Sequence, residues 1–320
     1  MAGQHVLLLG GTGTIGRATA RALLAEGHRV TALVRPGAET AALAGCTLVA
    51  GSATRSDDLS AALASGPPVD AVVSCLASRT GAPEDAWAID HAANSAALTA
   101  ALTHGVGRFV LLSAICVQKP HLAFQHAKLA FEAELRAAPL QWTVVRPTAF
   151  FKSLSGQIAR VSDGKPFLLF GDGRLTACKP IADEDLGRFL AETLADPAAV
   201  NRILPVGGPG PAITPRDQAA ILFDLTGRPP RFRRMPVAAM DAIVATLALL
   251  GRISPRLAAK AELARIGRYY ATESMLVWDP AQGRYDADAT PEFGTRTLRD
   301  HYAACLKGEI ADDRGAHAVF

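Results

Sequence analysis

The chain has 320 residues, 49% of them hydrophobic, with a mean hydropathy of +0.18, which is ample material for a large core. Its formal charge of +3 comes from 26 Arg and 7 Lys without a tight basic cluster, so a nucleic-acid-binding protein is disfavoured and an anionic small-molecule ligand suits better. Five scattered cysteines with no Cys-x-x-Cys pair argue against a zinc site or a disulfide framework and fit a reducing compartment.

The N-terminal residues MAGQHVLLLGG enter a strand at once, with no charged leader ahead of a long apolar region, so an unprocessed cytoplasmic chain is expected. Six short apolar runs follow in order: HVLLLG, RVTALVR, TLVAG, DAVVSCLA, RFVLLSA and WTVVRP. Ala- and Leu-rich helical segments separate them, the rhythm of βαβ units in a doubly wound, mostly parallel α/β sheet. Residues 1–150 are read as this domain, of Rossmann type. Residues 151–320 are read as a smaller, mostly helical substrate-binding part, with a segment near 178–207 returning to the first domain.

In the second part, helices are expected around 215–226, 237–251 and 255–274, and a long loop over 280–294. The run VAAMDAIVATLALLG, Val237 to Gly251, is too short for a bilayer span of roughly 20 residues. Being apolar nearly all round, it is expected to be buried rather than docked on a membrane surface, although peripheral membrane contact stays open.

The strongest chemical signal is VLLLGGTGTIGRATARALLAEG. Gly10, Gly13 and Gly16 follow a strand and open a helix, the form of a dinucleotide-binding loop, so the backbone of Gly10, Thr12, Gly13, Thr14, Ile15 and Gly16 is expected to hold a pyrophosphate at the positive helix end. At the end of the second strand an acidic residue would bind the ribose 2′-hydroxyl of NAD. This chain has Arg35 there, which suits a 2′-phosphate and so NADPH. Two further strand ends face the same crevice: Leu76 and Ala77 in SCLAS would border the cofactor ribose, and Ser113 in LLSAI the nicotinamide. The eight histidines include no ligand pair at helical spacing, so no protein metal site is expected.

The segments GGTGTIGR, ALVR, SCLAS, LLSAICVQKP, FQHAKLAFE and WTVVRPTAFFKSL resemble the atypical short-chain dehydrogenases, in the branch related to isoflavone-reductase-like proteins. Within that branch, LLSAICVQKP through RPTAFFKSLSGQ, with YYATESMLV and TPEFGTRTL, is similar to enzymes that reduce a vinyl group of a magnesium tetrapyrrole in chlorophyll and bacteriochlorophyll synthesis. The resemblance implies an NADPH-dependent oxidoreductase acting on a carbon–carbon double bond. It also implies Lys128 as the conserved lysine of the Tyr-x-x-x-Lys pattern, binding the nicotinamide ribose, but Phe124 stands where the tyrosine would be.

A phenyl ring has no proton to give, which fits a substrate without a carbonyl oxygen. Phe124, Phe150 and Phe151 are candidates for an apolar wall, and Tyr269, Tyr270 and Glu273 for supplying or relaying a proton. Two alternatives remain open at this point. One is another isoflavone-reductase-like reductase of a small aromatic ene or ether; the other is a non-catalytic NADPH-binding subunit of a respiratory complex.

Overall fold

The computed structural model describes residues 3–310. The Val- and Leu-rich runs form strands because side chains alternating across a strand can be buried on both faces of a covered sheet. In β1 (His5–Leu9), Val6 and Leu8 enter one core cluster and Leu7 and Leu9 the other. The chain continues through α1 (Thr14–Ala25), β2 (Arg29–Val34), β3 (Thr47–Ala50), α2 (Ser56–Ala64) and β4 (Ala71–Ser74). A short α3 (Pro83–Ala86) then runs through a π-helical stretch, Trp87–Ala93, into α4 (Asn94–Thr103), and β5 (Arg108–Leu112), α5 (Ala123–Ala137) and β6 (Gln141–Pro147) follow.

Beyond β6 come α6 (Phe151–Leu154), α7 (Ile158–Ser162), β7 (Phe167–Phe170), α8 (Asp183–Ala195) and β8 (Arg202–Val206). Seven strands form one sheet in the order β3-β2-β1-β4-β5-β6-β8, and every pairing is parallel. Strand order reverses between β1 and β4, which opens a crevice at their carboxyl ends, where ligands of such sheets sit. One face is covered by α1 and α8 through Ile15, Leu23, Leu186 and Leu190, the other by α2, α4 and α5 through Leu59, Leu98, Phe131 and Leu135. Gly187 lets α8 lie directly on α1, since a Cβ there would meet Ala18 backbone at 2.6 Å. Truncating a fully buried leucine such as Leu8 to Ala should cost about 2–5 kcal/mol.

The six strands expected from the sequence are all present. The seventh, β8, is an edge strand containing Pro205, which an edge tolerates and a central ladder does not.

The remaining elements are α9 (Pro215–Thr226), β9 (Phe232–Met235), α10 (Val237–Gly251), α11 (Pro255–Thr272), β10 (Val277–Asp279), β11 (Arg284–Asp286) and α12 (Leu298–Leu306). A second core joins Phe151, Ile158 and Phe167 to Leu222 and Phe223 of α9 and Tyr302 of α12, beside the parallel pair β7 and β9. Two expectations need correction. The stretch 280–294 is not simply a loop, because β10 and β11 pair antiparallel about a turn where Gly283 adopts φ +63°. And α10 is not buried: it packs on α11, and among its residues Met240 alone is buried. Its composition is apolar all round, but a helical hairpin standing on the surface covers only the inner face of each helix.

Candidate active site

The crevice begins at the glycine loop. Gly10 adopts φ +74°, and a Cβ there would lie 2.6 Å from the Cys75 carbonyl oxygen. At Gly16 a Cβ would fall 2.1 Å from the Gly10 carbonyl oxygen, so any side chain would push the loop away from the helix. These contacts enforce glycine by geometry, and they hold the start of α1 close under the strand ends. Gly13 is the exposed N-cap of α1 and caps with no side chain, which leaves the N–H groups of the first turn pointing outward. Thr12 and Thr14 are half-buried beside it, and Ile15 anchors the turn in the core. Such an N-terminus, with a glycine cradle that a Cβ would fill, fits a cofactor diphosphate.

Around this cradle, Arg35 follows the last residue of β2, exposed, and its guanidinium has no partner among the described residues. Lys152 was not singled out by sequence; its Nζ donates to Thr14 Oγ1 at 3.0 Å, which places a cation at the diphosphate end of the loop. Asp183, at the start of α8, has a buried Oδ1 without a hydrogen-bond partner. Burial, reinforced by Glu184, raises its carboxyl to about 6 against the pull of Lys152, Arg17 and Arg21. Leu76 and Ala77 lie just past β4, with Leu76 N–H reaching Ser74 Oγ at 3.4 Å.

Lys128 is buried on α5, and its Nζ lies 2.9 Å from Asp90 Oδ1. Asp90 belongs to the π-helical stretch, where the widened turn frees backbone carbonyls. Asn94 recovers two of them, donating from Nδ2 to the Ile89 and Asp90 carbonyls at 3.2 Å each, while its Oδ1 accepts from Ser74 at 2.6 Å. Four residues beyond Lys128 on the same helix face, Glu132 accepts the Ser113 hydroxyl at 2.5 Å and is bound twice by Arg146. Ser113 is therefore buried and engaged inward. A carboxylate at i+4 from the lysine was visible in the sequence; Asp90, 38 residues away, carried no local signal.

Across from α5, the end of α11 brings in the tyrosines. Tyr269 donates to the carbonyls of Cys116 and Lys119 at 2.9 and 3.1 Å, so it is a structural tie. Glu273 accepts from Lys119 Nζ and from the Tyr285 hydroxyl, both at 2.6 Å. Burial pushes the Glu273 carboxyl up, but those hydrogen bonds outweigh it and hold the carboxyl below its usual range. Lys119 also lies over the Trp278 ring at 4.5 Å.

Tyr270 differs. It leaves 39% of its surface exposed, yet its hydroxyl turns inward to Cys116 Sγ at 4.0 Å, its one polar contact among the described residues, and desolvation there raises its pKa. Desolvation also raises the Cys116 thiol, partly opposed by the Tyr270 and Gln125 contacts and by the charge of Lys128. Phe124 is half-buried against the cluster of Ile115, Cys116 and Ile266. Phe150 packs on the core beneath α1 and α8, and Phe151 is buried in the second core against His301. The structure thus brings Lys128, Phe124 and Tyr270 to one region around Cys116 and puts Phe151 in the interior of another.

Sheet, loop and lysine together define a nucleotide-dependent reductase of the short-chain dehydrogenase type. A family model described as NAD(P)H-binding matches residues 10–197. The divinyl chlorophyllide a 8-vinyl-reductase of Oryza sativa subsp. indica, a chloroplastic protein, is 44% identical over 98% of this chain and 82% of its own length; that of Cucumis sativus is 44% identical over 99% and 80%. The chain belongs to the divinyl chlorophyllide a 8-vinyl-reductase family. Among solved structures, the NADPH complex of the quinone oxidoreductase QOR2 from Escherichia coli shares the fold, with a TM-score of 0.69, 16% identity, and coverage of 94% of this chain and 99% of that one.

Proposed function

We propose that the chain uses NADPH to reduce the 8-vinyl group of divinyl chlorophyllide a, or of its protochlorophyllide counterpart, to an ethyl group. The observation that carries this reading, within that family, is what surrounds Lys128: the proton donors of a carbonyl reductase are missing or occupied. Phe124 cannot give a proton, and the Ser113 hydroxyl is committed to Glu132. A ketone needs a donor beside the oxygen that gathers charge, whereas a vinyl group conjugated to a macrocycle spreads charge into the ring.

When bound, NADPH supplies hydride. The N–H groups at the start of α1 and Lys152 would hold its diphosphate, Arg35 its 2′-phosphate and Lys128 its nicotinamide ribose. Asp90, paired with Lys128 at 2.9 Å, would position it. Reduction also consumes one proton, which must reach a carbon of the substrate. Of the three tyrosines near the crevice, Tyr269 is tied to backbone and Tyr285 to Glu273, which leaves Tyr270, whose hydroxyl meets only the Cys116 thiol among the described residues, to supply that proton.

The test is incubation of purified protein with NADPH and each divinyl pigment, followed by chromatography. We expect the monovinyl product, with turnover lowered at least about tenfold in Tyr270→Phe and NADPH affinity unchanged. Unreduced pigment from both incubations would overturn the reading; full turnover by Tyr270→Phe would remove Tyr270 from it.

A further inference from the structure

Of eleven exposed large apolar side chains in the described chain, six lie between residues 235 and 263. The most exposed are Ile253 at 83%, in the turn of the α10–α11 hairpin, and Leu249 at 63%, just before it. Placed at 100° per residue, the outer half of α10 carries the exposed Ala242, Ile243, Ala245, Thr246, Leu249 and Leu250, with the Thr246 hydroxyl turned onto the Ala242 carbonyl. Its one charged residue is Asp241, at the edge, which is paired with Arg268 of α11. This face is therefore mostly apolar and nearly neutral, and nothing among the described residues covers it.

The charge around it is mostly of one sign. Residues 228–268 hold nine Arg and Lys against two Asp and Glu, a surplus of seven in a chain whose whole surplus is three. Arg233 and Arg234 are exposed on β9, which leads through Pro236 straight into α10, and Arg252 is exposed at its far end.

We infer that the α10–α11 hairpin docks on the surface of an anionic lipid bilayer, apolar face inward. The exposed apolar face supplies insertion at the headgroup boundary, and the flanking arginines supply attraction to lipid phosphate. Spanning is excluded by length, because 15 residues of helix reach about 22 Å against a hydrocarbon core of about 30 Å. A second copy of the chain is a poorer occupant, since it would bring two surpluses of positive charge together, whereas an anionic bilayer offers the opposite sign. The inference stands apart from the vinyl-reductase reading. It does bear on it, because α11 also carries Tyr270, so docking would fix the crevice relative to the membrane surface.

The test is co-sedimentation of the full chain with phosphatidylglycerol–phosphatidylcholine vesicles and with pure phosphatidylcholine. The parent should partition into the anionic vesicles, and added salt should weaken it. Leu249→Asp/Ile253→Asp should bind at least about tenfold more weakly, with unchanged circular dichroism and thermal midpoint; Leu249→Ser/Ile253→Ser repeats the comparison with a milder change. The inference fails if the parent stays in the supernatant with anionic vesicles, or if both double variants bind as tightly as the parent. It also fails if sedimentation equilibrium shows a dimer that these variants disperse, which would assign the face to a second copy.

Discussion

Replacing Asp90 by Asn keeps the shape of the side chain and removes its charge, and the structure sets the consequence. The Asp90 carboxylate is 1% exposed and the Lys128 side chain 10%, with 2.9 Å between Oδ1 and Nζ. At an effective dielectric of about 20, unit charges at that separation attract by roughly 6 kcal/mol. Removing water from both ions costs several kcal/mol and cancels much of this, so the pair adds little net stability. Breaking it is another matter, because the buried ammonium then faces a neutral amide, and the loss is about 3 kcal/mol. Urea unfolding should show that loss for Asp90→Asn. The double variant Asp90→Asn/Lys128→Met should be more stable than the sum of its two single variants allows, with a coupling of about 2 kcal/mol. Asp90→Asn should also raise the dissociation constant for NADPH, because Lys128 loses its anchor. Strictly additive single variants, with coupling under about 0.5 kcal/mol, would refute the argument that Asp90 holds Lys128.

Arg35→Ala should weaken NADPH by about 1.5–3 kcal/mol in titration calorimetry and leave NADH nearly unchanged, since only NADPH has the phosphate it meets; equal losses for both would contradict the assignment. Asp183 gives a pH dependence. Its carboxyl is raised to about 6 by burial, so the folded state binds its proton more tightly than the unfolded chain does, and its contribution to stability declines as pH rises from about 4 to about 6. Asp183→Asn should therefore be more stable than the parent by up to about 2–3 kcal/mol at pH 7 and show no advantage at pH 4 in thermal unfolding; a pH-independent difference would sink this account. Phe124→Tyr should create no ketone reductase and cost about 1–3 kcal/mol for a phenol without a built partner, and ketone turnover by the parent would overturn the double-bond reading.

What the sequence disclosed follows the range of the forces involved. The six strands and the glycine loop were legible because local pattern and backbone sterics determine them: Gly10 and Gly16 admit no Cβ whatever the rest of the chain does. The edge strand β8 was not, since Pro205 speaks against a strand and only the vacant edge of β6 makes room for it. Composition misled over α10, where an apolar sequence nearly all round was read as burial although its partner α11 covers one side only. Pairwise electrostatics was the least visible. Lys128 stood out in a motif, but Asp90 meets it only because a π-helical turn, braced by Asn94, carries that carboxylate across to α5. The same holds for Tyr269 and Tyr270, equivalent as neighbours in sequence. The fold spends one hydroxyl on the Cys116 and Lys119 carbonyls and leaves the other beside a thiol. Which of two adjacent tyrosines keeps its hydroxyl clear of backbone carbonyls is therefore a property of the segment 115–119 that receives them, and not of the helix that carries them.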